Sequence, residues 1–237
     1  MIQIIKDNKF YFSGFLLFLL VATIILLTTD TGAVIVYFSK HRSPVGDLFF
    51  KYFTKLGEEW AYISCLAFFL LRRIREGLLI LVVVAFVFTL SFSLKAIFLQ
   101  DRPHTFFSKQ LKTKSNIYQL KKLDDLNFIE GVVAHTGQTS FPSGHTLSGF
   151  ALFGLVALMI RKKRGLALLW LSVAILVGLS RIYLVQHFLR DIYLGSIIGT
   201  LLAFLVYYVQ GRFPYQADRW YDQPIHKLRK SPQPKQV

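Results

Sequence analysis

Cysteine is almost missing from this sequence: among 237 residues only Cys65 carries a thiol. No intramolecular disulfide can form, and a lone thiol inside an apolar run makes no metal site. Charge is scarce as well, at 17% of residues, and acidic charge is scarcer than basic, with 13 Asp and Glu against 28 Lys and Arg. No carboxylate cluster is suited to a metal ion, although Asp101 stands near other polar residues of interest. The apolar runs do not alternate with polar residues, which excludes the strands of a membrane barrel. No internal repeat of useful length is present. No small-residue cleavage site follows the first apolar run, so that run reads as retained and not as a removed signal peptide. The formal charge of +15 would suggest nucleic acid in a soluble protein. Here no basic face carries interleaved exposed aromatics, and the cations stand beside apolar spans, where anionic lipid headgroups meet them. No nucleic-acid partner is expected.

Apolar residues fill the space those absences leave. They make up 54% of the chain, with a mean hydropathy of +0.47, and they come in long unbroken runs that call for a bilayer as solvent. Six segments read as spans, at about 10–28, 60–71, 78–99, 146–160, 166–183 and 188–209. Helices are the expected form, because a backbone in lipid must satisfy its own hydrogen bonds. The second segment is short, and the stretch 48–53 is the natural place for an earlier start or an interfacial turn. The expectation is an all-α integral membrane bundle of six transmembrane helices formed by residues 1–212, with a long loop at about 100–141. A polar tail, 213–237, follows and is expected to be partly disordered.

Basic residues set the orientation. Arg72, Arg73 and Arg75 lie between the second and third segments, and Arg161, Lys162, Lys163 and Arg164 between the fourth and fifth. Short loops rich in Lys and Arg stay in the cytoplasm. Both termini, with Lys6, Lys9, Arg229 and Lys230, then fall on the cytoplasmic side. The loops at about 29–59 and 100–141 face outward, despite Lys109, Lys112, Lys114, Lys121 and Lys122 in the latter.

Polar groups at the ends of spans are costly and need a reason. Lys95 and Arg102 are seven residues apart, which on a continuing helix returns them to one face, with Pro103 ending it. Taken alone, the pair reads as lipid snorkelling. Pro142-Ser143-Gly144-His145 precedes the fourth segment. Ser143 can cap the coming helix, Gly144 lets the backbone approach a ligand, and free amides at a helix start favour an anion. Ser180-Arg181, His187 and Asp191 form the third group. A carboxylate four residues from an imidazole can fix its tautomer and leave the other ring nitrogen free to attack. In isolation this is equally a structural pair filling a polar gap. The conjunction says more than any one cluster, since all three lie at outward ends of their segments. His104 and His135 read as exposed loop histidines, the loop lysines as solvated, and Gly195 with Gly199 as a close-packing pattern.

Lys95-x6-Arg102-Pro103, Pro142-Ser143-Gly144-His145 and Ser180-Arg181-x5-His187-x3-Asp191 together resemble the three-part signature of the type 2 phosphatidic acid phosphatase superfamily, in order and complete. With the span pattern, the resemblance covers nearly the whole chain. It implies an extracytoplasmic active site in which His187 attacks phosphorus to form a phosphohistidine and Asp191 orients it. His145 would protonate the leaving oxygen and then activate water. Lys95, Arg102 and Arg181, with Ser143 and the Gly144 amide, would bind the phosphate oxygens. No metal and no cofactor are implied, and no obligatory protein partner. The substrates it implies are lipid phosphates or diphosphates: undecaprenyl diphosphate, phosphatidylglycerol phosphate, phosphatidic acid or lipid A. The place it implies is a bacterial inner membrane. Two other readings stay open, a lipid phosphotransferase sharing the first half-reaction and a non-catalytic lipid-binding bundle.

Overall fold

A computed structural model describes residues 1–113, 118, 120–160 and 164–228. Among these residues every regular element is helical. A short α1 (Ile2–Asp7) leads into α2 (Lys9–Thr28), and two further helices, α3 (Ala33–Lys40) and α4 (Pro44–Phe53), precede a 3₁₀ turn at Thr54–Gly57. α5 (Glu59–Arg72) and α6 (Ile74–Phe98) form an antiparallel pair joined through Arg73. The long connection that follows contains α7 (Pro103–Lys112) and a 3₁₀ turn at Leu123–Leu126. α8 (Gly144–Met159), α9 (Arg164–Tyr183) and α10 (Leu189–Gln210) complete the bundle, and a 3₁₀ turn (Trp220–Asp222) and α11 (Ile225–Leu228) follow.

Four helical stretches are long and apolar enough to cross a membrane: Lys9–Thr28, α6 within Ile74–Lys112, Gly165–Tyr183 and Leu189–Gln210. α5 and α8 match the other two expected segments but have only 14 and 16 residues. At ~1.5 Å per residue they reach only ~21 and ~24 Å, short of a ~30 Å hydrocarbon layer. The second segment does not begin at 48–53. That stretch is the separate α4, which starts on a Ser43 side-chain cap with Pro44 in its first turn, and the chain then re-enters a helix at Glu59.

α8 is the axis of the fold. From Thr146 to Met159 it is buried, and it packs most extensively against α10 and then α9. Its small residues allow this closeness. A Cβ at Gly199 would stand 2.5 Å from Leu147 O and 2.8 Å from Phe150 Cβ, and one at Gly195 would stand 2.9 Å from Ser143 O. The glycine pattern in α10 is therefore a backbone contact with α8, the arrangement that lets membrane helices gain dispersion without a hydrophobic drive. Some polar groups inside the bundle pair with one another. The Tyr62 hydroxyl donates to Ser148 O at 3.1 Å, and the Tyr11 and Thr200 hydroxyls lie 3.4 Å apart. The outer shell is apolar, with Leu27, Phe88 and Phe92 among the most exposed side chains.

Two apolar clusters organise the chain. The larger joins α2, α5, α6, α8, α9 and α10. The smaller sits at one end and gathers Ile35 of α3, Phe107 of α7 and Leu126 over the α9–α10 turn at Ile182, Val185 and Phe188. It holds the two long connections onto that end of the bundle. At the other end, the polar segment after 212 folds back as far as 228. There the Arg75 Nε lies 2.7 Å from buried Asp222, and Ile74 N donates to Gln223 O at 3.0 Å. Lys114, the cluster at 161–163 and the tail from Arg229 and Lys230 onward lie outside the described residues.

Replacing Gly199 by Leu forces an overpacked backbone contact, which costs about 1–3 kcal/mol. The detergent-solubilised variant is expected to lose about 3–10 °C in Tm, while Gly165→Ala, with nothing within 4 Å of the added carbon, should stay near the parent. Thermal unfolding of both variants followed side by side checks this.

Candidate active site

The Lys95–Arg102 pair does not ride one continuous helix. α6 ends at Phe98, and Leu99 adopts a left-handed backbone with φ 44°. Arg102 then precedes α7, and Pro103 stands in the first turn of that helix. Pro103 therefore opens a helix where the spacing predicted it would close one. The reason is that a first-turn position needs no N–H donor and favours the fixed φ of proline. Arg102 is placed by the loop instead. Its backbone N–H donates to Gly137 O at 2.8 Å, and its Nε approaches Thr139 Oγ1 at 3.3 Å.

From there the Arg102 guanidinium turns inward. Nη1 donates to Gln186 O at 3.1 Å and meets His187 Nε2 at 3.0 Å. His187 is 2% exposed, and its Nδ1 lies 3.2 Å from Asp191 Oδ2. A guanidinium has no acceptor to offer, so Nε2 must accept and the neutral ring must carry its hydrogen on Nδ1. The lone pair is then on Nε2, facing the cations. Asp191 is anchored in turn: its Oδ2 accepts from Ser140 Oγ at 2.5 Å and from Phe188 N at 3.0 Å. Burial, followed by the positive charge of Arg102, Arg181, Lys95 and His145, holds His187 well below the usual imidazole range. It is neutral at physiological pH.

Arg181, at the end of α9, is 4% exposed. Its Nη1 donates to Thr54 Oγ1 at 2.6 Å and its Nη2 to Gln186 Oε1, while its Nε is buried with no partner among the described residues. Lys95 has no hydrogen-bond or ion-pair partner among the described residues. A Cβ at Gly144 would stand 3.5 Å from its Nζ and 2.8 Å from Ser91 Oγ, so the main chain at Gly144 and the lysine head meet where a side chain would intrude. None of the three cations forms a salt bridge with a carboxylate among the described residues, and burying such charge unpaired is expensive. The cluster is complementary to an anion.

Ser143 is fully buried, and its hydroxyl accepts from Thr146 N at 3.4 Å and Thr146 Oγ1 at 2.9 Å, capping α8. Its backbone N–H donates to Asp191 O at 3.1 Å. The hydroxyl expected to meet a phosphate is thus first a helix cap, with its own hydrogen left to donate. The N–H groups of Gly144 and His145 have no acceptor among the described residues and stand at the positive end of α8. His145 places Nε2 3.3 Å from Glu58 Oε1.

The sequence-predicted residues Lys95, Arg102, Ser143, Gly144, His145, Arg181, His187 and Asp191 all belong to this one cluster. His104 is turned away, its ring 5.9 Å from that of Phe128. His135 is exposed, yet desolvation and then Arg102, Arg181 and Lys95 lower its pKa, so it lies within electrostatic reach of the cations. Glu58, Thr54, Ser140, Thr139 and Gln186 are in the cluster but outside the motifs. A carboxylate heading an apolar span was a readable signal for Glu58, and adjacency to His187 one for Gln186. Ser140, Thr139 and Thr54 had none.

A family model described as the PAP2 superfamily matches residues 60–215. The chain belongs to this superfamily. Glu58 and Thr54 lie just before the matched stretch. Phosphatidylglycerophosphatase B of Bacillus subtilis is 34% identical over 82 residues, covering 31% of this chain and 40% of that protein. The bacitracin transport permease protein BcrC of Bacillus licheniformis is 32% identical over 87 residues, covering 37% and 41%. These matches span only about two fifths of each relative's length. The crystal structure of a transmembrane PAP2-type phosphatidylglycerolphosphate phosphatase from Bacillus subtilis aligns over 90% of this chain and 99% of its own, with TM-score 0.56 and 23% identity. The fold is that of a PAP2 membrane protein.

An oxyanion such as orthovanadate is expected to stabilise the purified protein by about 2.7 kcal/mol at a hundredfold excess over its Kd. Arg181→Gln and Arg102→Gln should each remove most of that gain. A scan of Tm against vanadate concentration measures it, and an unchanged response in both variants would detach the cluster from anion binding.

Proposed function

We propose that this PAP2 protein is a lipid phosphatase that releases phosphate from a membrane lipid phosphate or diphosphate through a phosphohistidine on His187. The single observation that carries the reading is the held tautomer. Asp191 occupies the Nδ1 side of a buried, neutral imidazole, and the lone pair on Nε2 faces three cations that lack carboxylate partners. Phosphoryl transfer asks for little else: an in-line nucleophile and fixed positive charge around the equatorial oxygens.

In the first half-reaction His187 Nε2 bonds to phosphorus and the bond to the lipid oxygen breaks. Lys95, Arg102 and Arg181, with the free amides at the start of α8, hold the other oxygens. Asp191 accepts the Nδ1 hydrogen bond of the ring as it becomes cationic, and His145 gives its proton to the departing oxygen. In the second half-reaction His145 takes a proton from water, whose oxygen displaces His187. Three cations supply the charge neutralisation that a divalent ion supplies in other phosphoryl-transfer sites.

The six apolar helices serve as spans in this reading, with α5 and α8 extended by polar ends that reach the headgroup layer. Arg72, Arg73 and Arg75 stand at the end of α5 and α6 opposite His145 and His187, which supports a site on the extracytoplasmic face with both termini inside. Substrates of the class are phosphatidylglycerol phosphate, phosphatidic acid, undecaprenyl diphosphate and lipid A, met at the level of their headgroups in a bacterial inner membrane.

His187→Ala is expected to lower phosphate release by at least about 10³-fold without unfolding the protein, and chelator should leave the wild type active. Phosphate release in detergent from a panel of lipid phosphates, beside an acid-labile label trapped on the wild type during turnover, checks both. Loss of activity in chelator that a divalent metal restores would overturn the metal-free mechanism. Orientation has its own readout. A cysteine at Lys109, in a Cys65→Ser background, should react with an impermeant maleimide added to intact cells, while one at Arg72 should not.

A further inference from the structure

The turn Thr54–Glu58 between α4 and α5 belongs to no part of the signature, yet it is fastened to the site at three points. Thr54 Oγ1 accepts from Arg181 at 2.6 Å. Gly57 lies so close to α8 that a Cβ there would stand 3.1 Å from His145 O and 3.2 Å from His145 Cβ. Glu58 Oε1 lies 3.3 Å from His145 Nε2. The glycine lets the turn lie flat against the first turn of α8, which brings the carboxylate to the ring. Glu58 keeps about a third of its side chain exposed, so it sits at the mouth of the site and not under it. Its hydrogen bond to His145, and then the nearby charges of His145, Arg181 and Lys55, hold it below the usual carboxylate range. It is ionised at neutral pH.

The electrical setting of His145 makes this carboxylate consequential. Around the ring stand Arg181 from α9, Lys95 from α6 and His187 from the turn before α10, all cationic or neutral, with Lys55 in electrostatic reach of Glu58 and His135 in reach of the cations. Burial, and then the charges of Arg181 and Lys95, hold the ring below the usual imidazole range, and Glu58 works against them. Glu58 is the one acidic group touching the ring among the described residues. Asp191 is committed to His187, Ser140, Phe188 N and Arg190.

We infer that Glu58 is a positioning residue of the reaction, holding the His145 ring and favouring its protonated form so that it can give its proton to the departing lipid oxygen. The inference rests on the phosphatase reading above. During the first half-reaction the proton moves from His145 to the lipid oxygen as the phosphorus–oxygen bond breaks and the His187–phosphorus bond forms. Glu58 remains a carboxylate throughout and exchanges no proton with substrate. Its effect is confined to the step in which a poor leaving group must be protonated.

That confinement makes the test specific. Wild type, Glu58→Gln and Glu58→Asp are assayed on a lipid phosphate, whose alkoxide needs a proton, and on an aryl phosphate with an acidic phenol, whose leaving group does not. Glu58→Gln is close in shape and removes only the charge. Its kcat/KM for the lipid phosphate is expected to fall about 10- to 100-fold, with a far smaller fall for the aryl phosphate. The alkaline limb of its kcat/KM profile on the lipid should move toward acid by about one to two pH units, because the charged ring is now lost at lower pH. Glu58→Asp should recover part of the limb. Equal losses on the two substrates, or an unmoved limb, would overturn the role of Glu58 and leave the phosphatase reading standing. Absence of phosphate release by the wild type from both substrates, with His187→Ala indistinguishable from it, would overturn both.

Discussion

Unpaired positive charge at one end of an apolar bundle is the condition that the rest of this structure accommodates. Lys95, Arg102 and Arg181 come from three different elements, and none has a carboxylate across from it among the described residues. Like charges gathered in a poorly solvated place repel, and nothing in a bilayer relieves them. They are tolerated because neutral acceptors hold two of them in place. Gln186 takes one guanidinium on its carbonyl oxygen and the other on its amide oxygen, while Thr54 and Thr139 take a further donor each. Such partners fix geometry without cancelling charge, so the electrostatic demand remains open. Preorganised charge of this kind favours a bound group that carries or develops negative charge.

The carboxylates are distributed to suit that demand. Asp191 and Glu58 each attend one imidazole and form no salt bridge with Arg102 or Arg181. Asp191 is buried and multiply anchored, which suits a group that must hold a ring still. Glu58 is partly wet and rests on a short turn, which suits a ring that exchanges protons with solvent. The difference in environment leaves His187 buried with Arg102 on its Nε2 and His145 partly exposed beside Glu58, although their side chains are chemically identical.

Much of this could be read in the sequence. Helix positions followed from unbroken apolar runs, while polar residues placed where lipid makes them costly pointed to residues that the resemblance to the superfamily's signature then grouped and that the fold brings together. Periodicity misled at Lys95–Arg102. The two cations do meet, but through a left-handed residue at Leu99, a proline that starts a helix and a loop that reaches back from Gly137. Spacing along one helix had nothing to do with it. The supporting residues were harder to see for a related reason. Ser140, Thr139 and Thr54 are ordinary polar residues in connections, and only tertiary packing of those connections over the α9–α10 turn gives them partners. The helices α3 and α7 fall in stretches that read as outward loop, and α4 in one that reads as an earlier start of the second span or an interfacial turn, because each is too short to carry a span-length signal.

The hydrogen bond from Ser143 N to Asp191 O joins the second and third motifs through main chain on both sides. With Gly195 pressed against Ser143 O one turn further along, the separation between the start of α8 and the start of α10 is set by backbone atoms alone. Replacing side chains one at a time would leave that strut intact, so an alanine scan of the pocket would register the reacting groups and pass over what spaces them. Only an amide-to-ester exchange at position 143, which deletes a single N–H, would reveal how much of the site's rigidity resides there.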